Sequence, residues 1–331
     1  MFGKKIDILA IGDTTTDAFI HLKDPHIHCT VDVHGEEICM PFGAKIPFES
    51  VTVIKAVGNA ANAAVSAARL GLHSALLSNL GDDQNGRDCL VELNRNKVDI
   101  SNVKVHKNKP SNYHFVLWYN IDRTILVNHV EYDYKLPKFQ DPKWIYLTSL
   151  APNARMYHGE IADYLEAHPD VKLAFQPGTF QIGLGVDELK RIYARTEVFI
   201  VNLEEAQTIL QTDNRDIKVL MKKLASYGPK LVAITDGANG SYLYDGDHYY
   251  FMPMYPDPKT PLERTGCGDA WTSTFVSALA MGKSPLEALV WAPVNSMSVV
   301  QFIGAQEGLL TLEQLTWWLE RAPADYKPKE I

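Results

Sequence analysis

Along most of this chain, short apolar runs closed by turn residues alternate with longer stretches of helical periodicity. Residues 6–11 (Ile-Asp-Ile-Leu-Ala-Ile) end at Gly12-Asp13 and predict a strand. Residues 60–70 are alanine-rich and stop at Gly71, the pattern of a helix closed by a C-terminal glycine. The alternation goes on to predict strands over 74–80, 144–148, 171–175, 198–201 and 231–235, with helices over 84–96, 154–168, 204–210 and 216–227. Strands separated in this way are βαβ units, which close as a mainly parallel sheet. From Gly268 onward the pattern is mostly helical. The uncharged run 288–306 is interrupted by Pro293, Asn295, Ser296, Ser298 and Gln301, so it predicts a buried helix rather than a membrane span.

Two stretches, 18–55 and 111–135, break the rhythm and are rich in β-branched and aromatic residues. Tyr113, Phe115, Leu117 and Tyr119 alternate with His114, Val116, Trp118 and Asn120, and a second run over 124–130 follows the turn Asn120-Ile121-Asp122-Arg123. This predicts a hairpin with apolar groups on both faces, which must be covered on both sides. The expectation is one α/β body over residues 1–331 carrying a small β lid, its outer face packed on a second copy of the chain.

Composition narrows the class. The 331 residues carry 32 Lys+Arg against 40 Asp+Glu, a net charge of −8 with no basic block, which argues against nucleic acid as the main partner. Aromatics at 10% and evenly spread apolar residues exclude disorder. Cys29, Cys39, Cys89 and Cys267 form no CxxC pair and no metal-ligand spacing, which fits a reducing compartment. The N-terminus runs straight into a strand without a signal-peptide apolar region. A soluble, cytoplasmic protein without a membrane partner is expected.

The richest chemistry lies in Glu263-Arg264-Thr265-Gly266-Cys267-Gly268-Asp269-Ala270-Trp271, at the start of an apolar helix. Glycines at 266 and 268 let successive backbone N–H groups point into one concavity at a positive helix end, a nest for a phosphoryl group. Asp269 is placed to accept a proton from an alcohol aimed at the same phosphorus. An acidic residue in a first helical turn is also common for dipole reasons alone. Three further places supply context. Gly58-Asn59-Ala60-Ala61-Asn62 allows close backbone approach to a ligand, and Asn62 offers a hydroxyl both donor and acceptor. Gly12-Asp13-Thr14-Thr15-Thr16-Asp17 follows the first strand, at the edge where open α/β sheets bind ligands; either Asp also serves as a turn residue. Asn202 and Glu205 share a helical face and can hold metal-bound water, although Asn before Glu-Glu is equally an ordinary N-cap. Thr235-Asp236-Gly237-Ala238-Asn239-Gly240 reads either as a plain turn or as backbone contact with nucleotide phosphates.

In this order, the Gly-Asp turn, GNAANAAVSAARLG, NLEEA, TDGANG and TGCGDAW resemble the ribokinase-like (PfkB-type) kinases of sugars and nucleosides, over essentially the whole chain. The resemblance implies a three-layer α/β/α fold with a β-sheet lid. It implies Asp269 as catalytic base, Gly266, Cys267 and Gly268 as the anion hole, and Asp17, Asn62 and Gly58 at the acceptor, joined by Asp13 and Asn59. It implies Asn202 and Glu205 at Mg²⁺ through water, and Thr235, Gly237, Gly240 and Thr265 at the nucleotide. Relatives carry Asp-Thr-Thr where this chain has Glu263-Arg264-Thr265, and that Asp helps bind K⁺, so a K⁺ requirement is in question. The usual Ala between the glycines is Cys267, and the usual glycine pair is Val57-Gly58.

The expected activity is ATP-dependent, Mg²⁺-requiring phosphorylation of a primary hydroxyl of a sugar, with a nucleoside such as adenosine as the alternative acceptor. Phe19, Phe42, Tyr113, Phe115, Trp118 and Tyr119 could form a slot for a base; Asp13, Asp17, Asn62 and His114 could hold hydroxyls. From another class, a catalytically silent sensor on this fold draws support from Cys267 and the residues before Thr265. A dehydrogenase does not fit, because no GxGxxG follows the first strand.

Overall fold

The protein is described here from a computed structural model over residues 5–23, 28–32, 35–119 and 122–331. Strand β1 (Ile8–Ile11) is buried at all four positions, as a parallel strand between two helical layers requires. It leads to β2 (Thr15–Leu22), the hairpin β3 (His28–Asp32) and β4 (Gly35–Cys39), and β5 (Phe48–Val57). Helix α1 (Asn59–Arg69) returns the chain to β6 (Ser74–Gly81), followed by α2 (Gln84–Arg95), β7 (Asp99–His106), β8 (Asn112–Tyr119) and β9 (Asp122–Leu126). The second half runs β10 (Trp144–Leu147), α3 (Arg155–Ala167), β11 (Lys172–Phe175), α4 (Thr179–Leu184) and α5 (Lys190–Arg195). Next come β12 (Thr196–Asn202), α6 (Leu203–Leu210), α7 (Ile217–Ala225), β13 (Leu231–Thr235), β14 (Ser241–Tyr244) and β15 (Tyr249–Met252). Helices α8 (Cys267–Ala280), α9 (Pro285–Val299) and α10 (Leu312–Leu319) and the short β16 (Lys329–Glu330) close the chain.

Among the described residues the large sheet has the order β16-β15-β14-β13-β12-β11-β10-β1-β6-β7. Pairings from β7 to β13 are parallel, and those from β13 to β16 antiparallel. Strand β1 lies between β6 and β10, so the order reverses there and opens a crevice at the carboxyl ends of the strands. One face of the sheet packs on α1, α2, α8 and α9 through Leu76, Leu93, Phe275 and Leu289. The other packs on α3, α5, α6 and α7 through Phe175, Tyr193, Phe199 and Leu220. Each such buried side chain contributes about 1.5–3 kcal/mol. The alanines of α1 permit its close approach to α8, which is buried on every side from Ala270 to Ala278.

A separate sheet, β5-β2-β8-β9, stands at the mouth of that crevice. Its inner face buries Val116 and Trp118, whereas Phe48, Val51, Val53, Phe115 and Leu126 stand open on the other. The apolar second face expected to be covered is therefore uncovered in the single chain. Two boundaries also move. The run 124–130 is strand only to Leu126, and at Val130 the backbone N–H turns to Asn112 Oδ1 instead of a ladder. The predicted helix over 288–306 stops at Val299, and turns follow. The turn Asn120-Ile121 and the first four residues lie outside the described residues, as does the side chain of Cys29. Cys89 and Cys267 are free thiols. Among the described residues no helix is long and apolar enough to cross a membrane.

Candidate active site

Asp269 sits in the first turn of α8, at the floor of a polar cavity of about 760 Å³. Three side-chain amides from two other elements converge on it. Asn59 Nδ2 donates to Oδ1 at 3.0 Å, Gln176 Nε2 to the same oxygen at 3.3 Å, and Asn62 Nδ2 to Oδ2 at 2.8 Å. The two asparagines come from the first turn of α1; Gln176 follows β11 and is itself held by the Tyr146 hydroxyl, which donates to Gln176 Oε1. Burial pushes the Asp269 carboxyl above its usual range, against the pull of these donors and of Arg123. Oδ2 thus keeps one lone pair for a hydroxyl in the cavity.

Beside the carboxylate, Gly266 is the N-cap of α8 with φ of 78°, a left-handed conformation that strains any residue with a Cβ. A Cβ there would lie 2.2 Å from that of Ala305. The Cys267 N–H makes one long contact of 3.4 Å to Arg264 O, and the next N–H groups are first-turn donors without a helical acceptor. Burial pushes the Cys267 thiol up, so it stays neutral and adds no charge against an anion. Glu263 is buried, and its two oxygens accept from Thr265 N and Gly304 N, each at 2.6 Å. That ties the turn to the segment carrying Ala305.

On the opposite wall the register of the parallel pair β2–β8 sets Asp17 beside His114. His114 Nδ1 is 3.4 Å from Asp17 Oδ1, a buried oxygen without a hydrogen-bond partner among the described residues. Asp13 is more committed. Its Oδ1 accepts from Tyr134 OH at 2.7 Å and its Oδ2 from Ala151 N at 2.8 Å, with His129 Nδ1 3.7 Å away. Burial raises the Asp13 carboxyl to about 6 and lowers His129 to about 4. Gly58 shares this wall, with φ of 100°; its Cβ would lie 2.8 Å from Asp13 O.

Asn202 and Glu205 form a reciprocal capping box at α6: Asn202 Oδ1 accepts from Glu205 N at 2.8 Å, and Glu205 Oε2 from Asn202 N at 2.9 Å. The capping reading is therefore realised, yet both residues also line the polar cavity. Burial raises the Glu205 carboxyl, and Asp269 adds to the effect. Among the described residues no three His, Cys, Asp or Glu side chains converge as metal ligands.

A second, mostly apolar cavity of about 240 Å³ adjoins the first. Trp271, Pro293, Met297 and Val300 wall it, with Ala238 and Gly240 at its rim. Thr235, Gly237, Arg264, Cys267 and Gly268 line both cavities. All the candidate positions thus border one of the two, Gly240 the apolar one alone, and Thr265 and Asn59 the polar one. Of the aromatics offered for a base slot, Phe19, Phe42, Tyr113, Phe115, Trp118 and Tyr119 line neither. Sequence reasoning passed over Arg123, His129, Gln176 and Phe180, which do border the polar cavity. Gln176 had a signal, being the first residue past the strand predicted over 171–175.

The model of the pfkB family of carbohydrate kinases matches residues 47–312. The chain is 25% identical over 250 residues to the fructoselysine 6-kinase of Escherichia coli K12, covering 75% of this chain and 90% of that one. It is 26% identical over 293 residues to the cytidine kinase of Thermococcus kodakarensis, with 86% and 92% covered. The fold superposes on the ribokinase of Arabidopsis thaliana, solved with ribose and ATP, with a TM-score of 0.78 at 18% identity, covering 96% and 99% of the two chains.

Proposed function

Because this chain belongs to the pfkB family of carbohydrate kinases, we propose that it transfers the γ-phosphoryl group of ATP to a primary hydroxyl of a sugar, with Asp269 as the base. The observation that carries the reading is the carboxylate itself. It is fixed by three amide donors, keeps an acceptor position toward a polar cavity, and lies beside free first-turn N–H groups. The apolar cavity suits the adenine ring. A triphosphate leaving it passes Thr235 and Gly237 and reaches the turn at Gly266 to Gly268, where amides stabilise charge on the moving phosphoryl group. Arg123, on the small sheet, brings a positive charge to the same cavity. Asp269 takes the proton from the attacking hydroxyl as the small sheet, acting as a lid, excludes water.

The residues present fit a Mg²⁺ ion held mainly by phosphate oxygens and water, since Glu205 offers one carboxylate oxygen outside its capping box. Such an ion, when bound, neutralises charge on the bridging phosphate oxygens. No step is assigned to K⁺, because backbone amides already engage both Glu263 oxygens. The same contacts give Glu263 a structural role, so its departure from the family pattern does not by itself argue for a silent sensor.

A sugar suits the acceptor wall better than a nucleoside, because Asp17, His114, Asn62 and His129 present hydroxyl partners there. The nucleoside alternative rests on Phe180, edge-on to His129 at 5.5 Å, which could flank a base. ADP release measured with ATP and a mixed panel of sugars and nucleosides tests the reading. Turnover with sugars supports it, turnover with nucleosides alone substitutes the alternative, and none with either overturns both. We further propose that the open face of the lid pairs with a second copy, a self-complementary apolar patch under two-fold rotation. Light scattering should give a dimer mass that Phe115→Glu halves; a monomeric parent would contradict the pairing.

A further inference from the structure

Asn62 serves the proposed base only with its NH₂ turned to Asp269; the other setting of the amide would face a carbonyl oxygen to the carboxylate. An ionised Asp269 selects the right setting by itself. That selection disappears once Asp269 has taken the proton, because its own O–H could then donate to a reversed Asn62 and trap the acid.

Gln306, buried in the turns after α9, removes the ambiguity. Its Nε2 donates to Ala56 O at 2.7 Å and to Asn62 Oδ1 at 2.9 Å. A backbone carbonyl can only accept, so the Gln306 atom against Ala56 must be the NH₂ group. That assignment forces the atom of Asn62 facing Gln306 to be oxygen, and therefore the one facing Asp269 to be nitrogen. The reference carbonyl is itself fixed: Ala56 is buried, left-handed with φ of 58°, and donates its N–H to Cys89 Sγ. Arg69 Nη1, donating to Gln306 O at 2.7 Å, pins the other end of the relay. We propose that Gln306 is a positioning residue, which locks Asn62 as a donor and so keeps Asp269 a proton acceptor after each transfer. The inference rests on Asp269 being the base.

The charged and titratable groups facing Asp269 are Arg123 on β9, Glu205 on α6, Tyr146 on β10 and Cys267 on α8, and a change at Gln306 alters none of them. The test is the pH profile of kcat for Gln306→Met, alone and combined with Asn62→Ala. With Asn62 free to reverse, protonated Asp269 is favoured, so the acidic limb should move up by about one pH unit, giving an up to about ten-fold loss on that limb that fades as pH rises above it. The KM for ATP should stay unchanged, and in the Asn62→Ala background Gln306→Met should add less than about two-fold. A loss equal at every pH, or one that multiplies with Asn62→Ala, would overturn the proposal. If Gln306→Met does not fold, Gln306→Glu keeps the shape but, ionised, draws the Asn62 NH₂ away; wild-type rates across the pH range in that variant would equally overturn it. Asp269→Asn separates the two layers. Full activity there removes the base reading, whereas an inactive Asp269→Asn beside a Gln306→Met of wild-type profile removes the role of Gln306 alone.

Discussion

The floor of the crevice and the sheet above it are built on different terms. At the floor, Asp269, Asn59, Asn62 and Gln176 hold one another through amide–carboxylate contacts of 2.8–3.3 Å, on the first turns of two buried helices and the end of a central strand. On the small sheet, Asp17 and His114 meet at 3.4 Å across two strands, with an Asp17 oxygen still unpartnered among the described residues, and Phe48, Val51, Val53, Phe115 and Leu126 stand open on the other face. A floor whose carboxylate is held by several donors suits chemistry common to many acceptors, where misplacement costs rate. A sparsely partnered wall suits recognition, because polar atoms without protein partners gain most from a ligand's hydroxyls.

The contrast can be broken at the floor first. Gly266→Ala forces a Cβ into left-handed backbone 2.2 Å from that of Ala305, which must shift the anion turn. We expect kcat to fall by at least about 100-fold, the scale of losing an oxyanion donor, with the acceptor KM little changed. A Gly266→Ala enzyme of near-normal kcat would mean that the turn is not the anion site.

The acceptor wall should answer to pH. His129 is lowered to about 4 from 6.5, so the unfolded chain binds a proton that the folded chain refuses, and its stabilising contribution is lost as pH falls from 6.5 toward 4. Asp13, raised to about 6 from 3.8, works the opposite way over much of the same window: its folded form keeps a proton, and stability falls as pH rises from 3.8 toward 6. The two offset in the parent. His129→Asn leaves Asp13 alone, so between pH 6.5 and 5 the variant should gain about 1.5 kcal/mol relative to the parent in chemical denaturation. Parallel pH curves would show that His129 is not held neutral.

The smallest effect belongs to the charge that the small sheet brings to the floor. Arg123→Gln should lower kcat about five-fold, as one non-contacting cation near the transferred group would, and leave the apolar cavity's affinity for ADP intact. A loss of two decades would place Arg123 among the groups touching the phosphoryl, and erase the distinction drawn here.

What could be read from the chain divides along the same line. Most of the floor was legible because its chemistry is local: Gly266, Gly268 and Asp269 lie within one turn, as do Gly58, Asn59 and Asn62, and helix starts fix their geometry, whereas Gln176 joins them from the far end of β11. The strands over 74–80 and 231–235 were legible because continuous apolar runs between turn residues leave few alternatives. The wall was not. Asp17 and His114 become neighbours only through a parallel register that no periodicity encodes, and His129 reaches the cavity from a stretch that leaves its strand early. The lid aromatics could equally have formed a base slot or served packing and the outer face; alternation put Phe115 on the open face and Trp118 beneath the sheet. Asn202 and Glu205 show a different limit, since the same two side chains cap a helix and line the site, so neither reading excludes the other.

Proton removal at residue 269 is the step on which the proposed chemistry depends. Asp269→Asn keeps the size and all but the charge of the side chain, so ADP affinity should stay within a few-fold. With a working acceptor, single-turnover ADP formation should drop by at least about 1,000-fold, the upper range of general-base catalysis. Single-turnover formation at the parental rate in Asp269→Asn, with nucleotide still bound, would contradict it.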